Sequence, residues 1–95
     1  MSRYHTLYTN DGTPKFTTLL VGGTSVSTPL QGRRLTVTTG GQSPFLAFGT
    51  STVVATTSSC VIPANATVDF NVTVGTHVAL ISPAGATYVT IIDAD

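Results

Sequence analysis

Val68-Asp69-Phe70-Asn71-Val72-Thr73-Val74 alternates apolar and polar residues without a break. Successive side chains of a strand point to opposite faces, so this stretch reads as a strand with one buried and one wet face. Gly75 follows and permits a sharp reversal. Beyond it come Thr76-His77-Val78-Ala79-Leu80-Ile81, a Pro83-Ala84-Gly85 turn, and a closing strand, Thr87-Tyr88-Val89-Thr90-Ile91-Ile92. Upstream, Val61-Ile62 runs into the turn-like cluster Pro63-Ala64-Asn65-Ala66. Before it lie Thr52-Val53-Val54-Ala55-Thr56-Thr57, the apolar run Phe45-Leu46-Ala47-Phe48 between Pro44 and Gly49, and Arg34-Leu35-Thr36-Val37-Thr38-Thr39 ending at Gly40-Gly41. Short strands at about 8–12-residue spacing, with turn signals between them, predict a sandwich or small barrel. No connection after Arg33 is long enough for a crossover helix, so the sheets are expected to be antiparallel.

The composition agrees with an all-β chain. Thr, Ser, Val and Gly dominate, there is no Glu, and Lys15 is the single Lys. β-branched residues suit a pleated sheet better than a helix. The expected core holds Leu35, Val37, Phe45, Ala47, Val53, Ile62, Val68, Phe70, Val72, Val74, Val78, Leu80, Val89 and Ile91. Whether Phe45 and Ala47 or Leu46 and Phe48 point inward is open, because a one-residue shift flips every side chain.

Residues 1–32 read differently. Asn10-Asp11-Gly12, Pro14, Gly22-Gly23, Pro29 and Gly32 punctuate them, and one strand candidate, Phe16-Thr17-Thr18-Leu19-Leu20-Val21, interrupts the punctuation. The expected organisation is an extended N-terminal arm over 1–32 and a small antiparallel β-sandwich or barrel over 33–95. An apolar strand in an arm is a sticky edge unless covered. Phe16, Leu19, Leu20 and Val21, with Tyr4 and Tyr8, are therefore the expected partner-binding residues.

A chain of 95 residues forms one domain and buries only about 60–65% of its unfolded surface, so its core is thin. One Cys, Cys60, makes no internal disulfide. Oligomerisation is the remaining common device for a small domain. Only 8% of residues are charged, against about 25% in ordinary soluble domains, which implies a surface covered by partners. The zero net charge argues against nucleic acid, whose phosphates need a basic stripe. Arg33-Arg34 is the one adjacent basic pair and has no aromatic interleaving. The N-terminus lacks the apolar core of a signal peptide, and no apolar run reaches the roughly 20 residues of a membrane helix. The chain is expected to be made in a cytoplasm and to stay soluble there until it meets its partner.

Catalytic groups are sparse. Asp11, Asp69, Asp93 and Asp95 form no persuasive carboxylate pair of the kind acid–base chemistry needs. Cys60 and His77 are a conceivable nucleophile and base, but the plainer expectation is a buried thiol and a strand-face imidazole. One Cys and two His leave a four-ligand zinc site short of donors. The glycines match no phosphate-cradling motif, and the two Asn-x-Thr sequons are chance products of a Thr-rich chain. No enzyme activity, metal or cofactor is expected.

From Arg34 to Ile92 the chain resembles small β-domains among the structural proteins of tailed bacteriophages. The residues carrying the resemblance are Thr39-Gly40-Gly41, Leu46-Ala47-Phe48-Gly49, Val61-Ile62-Pro63-Ala64, Thr76-His77-Val78-Ala79 and Ala86-Thr87-Tyr88-Val89-Thr90. Asn65 stands where a Gly commonly follows Pro-Ala, and Asn accepts the same left-handed backbone. Asp93-Ala94-Asp95 replaces a Gly-Glu-Gly-like tail, and residues 1–32 are not covered. The resemblance implies a virion component, either a capsid decoration (cement) protein or the base of a head fibre. It further implies the major capsid protein as partner, self-association with a trimer favoured, and a place on the capsid surface. The rival expectation is a carbohydrate- or receptor-binding module of a tail or head fibre. Sugar sites favour exposed aromatics, whereas this chain has no Trp and Tyr88 falls within a core-forming strand.

Overall fold

A computed structural model describes residues 15–94. Eight strands and no helix occupy them: β1 Lys15–Val21, β2 Val26–Pro29, β3 Arg34–Thr39, β4 Phe45–Gly49, β5 Cys60–Val61, β6 Thr67–Asn71, β7 His77–Ile81 and β8 Thr87–Ala94. They form two four-stranded antiparallel sheets, ordered β1-β8-β3-β6 and β2-β7-β4-β5. The pairs β1·β8, β2·β7, β3·β6 and β4·β5 are those of one long hairpin wound on itself, with the β4–β5 connection at its tip. That order is the jelly roll, an eight-stranded sandwich of two Greek keys. The expected all-β sandwich is thus the observed fold.

The arm boundary expected at residue 32 does not hold for its second half. β1 is an edge of the first sheet and β2 an edge of the second, so residues 15–32 are woven into the sandwich. The Gly22-Gly23 and Pro29-to-Gly32 signals are the turns that carry the chain from sheet to sheet. Residues 1–14 lie outside the described residues.

The core is aliphatic. Val21, Leu30, Leu35, Val37, Leu46, Ile62, Val78, Leu80, Val89 and Ile91 are buried together, with Leu19, Val26, Val68, Phe70 and Val72 packed around them. Four expected core positions are corrected. Leu46 takes the inward place in β4, because it pairs with core Leu80; Phe45 and Ala47 therefore sit on the other face of that sheet and are half-buried. Val53 lies in a loop, not a strand: residues 50–59 form the long β4–β5 connection. Val74 is exposed because the ladder of β6 ends at Arg34–Asn71. Past that point the chain turns, with Thr76 N–H donating to the Thr73 carbonyl at 3.1 Å and Gly75 at φ +88°.

The turn expected at Asn65 is present. Asn65 adopts φ +53°, and its N–H donates to the Gly40 carbonyl at 2.7 Å. Gly40 itself is confined, because a Cβ there would lie 2.7 Å from Thr87 Oγ1 and 3.3 Å from the Tyr88 carbonyl. The β4–β5 connection lies against the outer face of the second sheet. A Cβ on Gly49 would come within 3.0 Å of Val53, and Ala55 N–H donates to Ser25 Oγ beside β2. Ala79, which faces outward between Val78 and Leu80, is accordingly buried.

Candidate partner-binding face

Antiparallel pairing sets which side chains share a face, because directly opposed residues point the same way. In β1 and β8 the pairs Leu19↔Val89 and Thr17↔Ile91 face the core. The alternate pairs Phe16↔Ile92, Thr18↔Thr90 and Leu20↔Tyr88 therefore face out. Phe16 is 61% exposed, Leu20 57% and Tyr88 65%. Between these apolar pairs, the hydroxyls of Thr18 and Thr90 stand 3.3 Å apart.

The rank of threonines continues across the sheet. Thr90 opposes Thr38 in β3, and Thr38 opposes Thr67 in β6, with the last two hydroxyls again 3.3 Å apart. The next rank places Thr36 against Asp69, and the Thr36 hydroxyl donates to the carboxylate at 2.8 Å. The outer face of this sheet is thus divided. Its β1–β8 half presents Phe16, Leu20 and Tyr88 around the Thr18–Thr90 pair and no charge on its outward ranks, while its β3–β6 half is hydroxylic and holds Arg34 and Asp69.

Of the six expected partner-binding residues, Phe16 and Leu20 are on this face. Val21 is fully buried and Leu19 packs against the core; both serve their own domain, because strand alternation sends them inward. Tyr4 and Tyr8 lie outside the described residues. Tyr88 was missed as a surface residue. The signal was present, since placing Val89 and Ile91 in the core obliges Tyr88 to point the other way.

The remaining candidates do not converge. Cys60 is exposed rather than buried, because β5 is a two-residue edge strand. Cys60 opposes Leu46 and His77 opposes Gly49, on opposite sides of β4, so about 10 Å of strand separates their ranks. His77 is half-buried, and its Nδ1 is buried without a hydrogen-bond partner. Among the described residues no three His, Cys, Asp or Glu side chains cluster as metal ligands. Asp93 has a structural role that its place near the C-terminus concealed. It is buried, accepts the Gly32 N–H at 2.7 Å and also accepts the Gln31 N–H, pinning the β2–β3 connection to β8.

No protein-family model, curated protein or solved structure matches the chain.

Proposed function

We propose that this chain is a structural virion protein that binds the outer capsid lattice as a decoration or cement protein and stabilises it. Its partner is the major capsid protein, and the β1–β8 half of the first sheet is the docking face. The observation that carries this reading is the ladder of Phe16, Leu20 and Tyr88, three large exposed side chains on two adjacent strands with no charge among them. Large exposed apolar side chains gathered on one uncharged face mark an interaction site in a soluble protein, here with the Thr18–Thr90 pair between the Phe16 and Leu20–Tyr88 ranks. The jelly-roll order adds an analogy at the level of fold alone, since viral capsid domains and lectins both use it.

Magnitudes favour several copies acting together. Burying the surface that these three side chains still expose, each being already more than a third covered, contributes roughly 3–5 kcal/mol, while association costs about 4–15 kcal/mol in lost freedom and ordering. One face held alone is marginal. A trimer engaging three equivalent capsid sites converts the later contacts into intramolecular ones. The test is to add the protein to particles that lack it and measure occupancy and heat resistance. Binding at a fixed number of symmetry-related sites, lost on Leu20→Asp, supports the reading; binding that ignores this substitution refutes the assigned face.

One observation favours the second reading, a carbohydrate- or receptor-binding module of a tail or head fibre. Tyr88, expected in a core-forming strand, presents its ring to solvent beside hydroxyl-bearing threonines. Labelled protein found only at the tail tip is the outcome that selects it.

A further inference from the structure

The bonding of β6 leaves one side of its backbone open. At one end of the β3–β6 ladder the Val72 N–H donates to the Arg33 carbonyl at 2.7 Å, and at the other the Thr39 N–H donates to the Ala66 carbonyl at 2.9 Å. Opposed residues of an antiparallel pair alternate between exchanging hydrogen bonds and exchanging none. Val68 and Phe70 therefore bond to their opposites in β3, Val37 and Leu35. Thr67, Asp69 and Asn71 turn their N–H and C=O groups the other way. β6 is an edge of its sheet, and among the described residues nothing bonds to those groups. The other edges differ. β2 ends at Pro29, which has no N–H to offer, β5 is two residues long, and β1 carries the docking face. β6 has five residues and no Pro, so it is the free edge that could accept another strand.

The two faces of β6 ask for different side chains. Thr67, Asp69 and Asn71 point outward and are exposed. The Asp69 carboxylate accepts the Thr36 hydroxyl at 2.8 Å and pairs with no cation among the described residues. Val68, Phe70 and Val72 point inward and are only half-buried. Phe70 meets Phe48 of β4 edge-on, with ring centroids 5.3 Å apart. β5 pairs with β4 at Phe45 and Leu46 alone, so the Phe48 end of β4 has no strand beside it and Phe48 stays 37% exposed. The inner side of the β6 edge is thus apolar and incompletely covered.

That pattern narrows the occupant. An extended peptide laid antiparallel along β6 would exchange backbone hydrogen bonds with Thr67, Asp69 and Asn71. Its residue opposite Asp69 would point outward, where a cation complements the carboxylate. The residues on either side of that one would point inward, beside Val68 and Phe70, where apolar side chains suit. A second copy of β6 is a poor fit. Pairing that uses all three open residues of both copies sets Asp69 opposite Asp69, and like charges directly opposed are destabilising. We propose that β6 takes up an extended segment of a partner protein as an added strand, with a Lys or Arg opposite Asp69 and an apolar residue on each side of it. This site is distinct from the docking face, because β1 and β6 are opposite edges of the first sheet, and it stands or falls apart from capsid docking.

The test is a titration of the full, isotope-labelled chain with the end-capped peptide Ser-Thr-Val-Lys-Val-Thr-Ser, followed by amide NMR and hydrogen exchange. The expected signature alternates along β6. The amides of Thr67, Asp69 and Asn71 gain partners and should exchange about tenfold more slowly or better, whereas those of Val68 and Phe70 are already bonded to β3 and should change little. Glu in place of the peptide's Lys should weaken binding about two- to tenfold, and Asp69→Lys should reverse that preference. Methylating the main-chain nitrogen of the peptide's Lys, which removes a backbone donor and keeps every side chain, should abolish saturable binding to the parent chain. Leu20→Asp should leave binding unchanged. The proposal is overturned if the peptide leaves these amides unaffected at millimolar concentration, if the N-methylated peptide binds equally well, or if the Lys and Glu peptides bind the parent chain alike. It is equally overturned if the shifts fall on Leu20 and Tyr88, or if raising the chain's own concentration produces the alternating protection without peptide, which would make a second copy the occupant.

Discussion

Asp93→Ala should be among the most destabilising changes available outside the aliphatic core. The carboxylate is buried and accepts two backbone N–H groups, those of Gln31 and Gly32. Hydrogen bonds to a charged group contribute about 1.5–3 kcal/mol each. Their loss is unequal here. Gln31 is exposed and its N–H can turn to water, whereas Gly32 is buried and keeps an unsatisfied donor. The expected cost is therefore about 2–4 kcal/mol, short of twice the single-bond figure. Asp93→Asn retains one acceptor but sets an NH2 group against the second N–H, so it should cost somewhat less. Thr90→Ala, three residues earlier and on the outer face, serves as the control and should stay within about 1 kcal/mol. Urea denaturation followed by circular dichroism gives these differences, and for a domain of this size each kcal/mol moves Tm by about 4–8 °C. If Asp93→Ala unfolds within about 0.5 kcal/mol of the parent, the carboxylate does not pin the β2–β3 connection and the reasoning fails.

Leu80→Ala, at a fully buried position in the centre of the second sheet, should cost about 3–5 kcal/mol. Phe70→Ala should cost less, about 2–3 kcal/mol, because Phe70 lies at the rim of the core. Gly40→Ala is expected to destabilise by about 1–3 kcal/mol through its clash with Thr87. A double-mutant cycle with Thr87→Ala should recover part of that loss, and simple additivity would show that the contact is not its cause. Tyr88→Ala should leave stability within about 0.5 kcal/mol of the parent while weakening particle binding at least tenfold, the behaviour of an aromatic interface anchor; unchanged binding removes Tyr88 from the docking face. Light scattering of the purified chain at micromolar concentration should show a trimer, and a monodisperse monomer would confine assembly to the capsid surface.

The fold class was legible because strict alternation has one reading. Val68 to Val72 shows it, and the structure keeps Val68, Phe70 and Val72 inward and Asp69 and Asn71 outward. Alternation does not show where hydrogen-bonding partners end, so the pattern extends to Val74 although β6 stops at Asn71. Thr52 to Thr57 failed for a related reason. β-branched residues favour a strand, but nothing local reveals that residues 50–59 lie across an existing sheet. Residues 15–32 look like an arm in the sequence because Gly and Pro there suggest an irregular segment, whereas β1 and β2 are sheet edges. In a jelly roll such residues mark each crossing between sheets, and only the long-range pairing of β1 with β8 reveals the difference. The docking face was half legible. Phe16 and Leu20 stood out as apolar residues in a strand apolar on both faces, but which pair faced solvent depended on the register against β8.

The central claim is most directly tested by reconstitution. Particles lacking the protein would be mixed with parent chain, Leu20→Asp or Tyr88→Ala, freed of unbound protein, and heated until the capsid opens. Stabilisation by a bound ligand grows with its concentration over its dissociation constant. Parent chain should therefore occupy a fixed number of sites per particle and raise the opening temperature in proportion to occupancy, while both variants leave it near that of bare particles. Equal opening temperatures with and without bound parent chain would contradict the cementing role, and failure of the parent chain to bind the lattice at all would contradict the account as a whole.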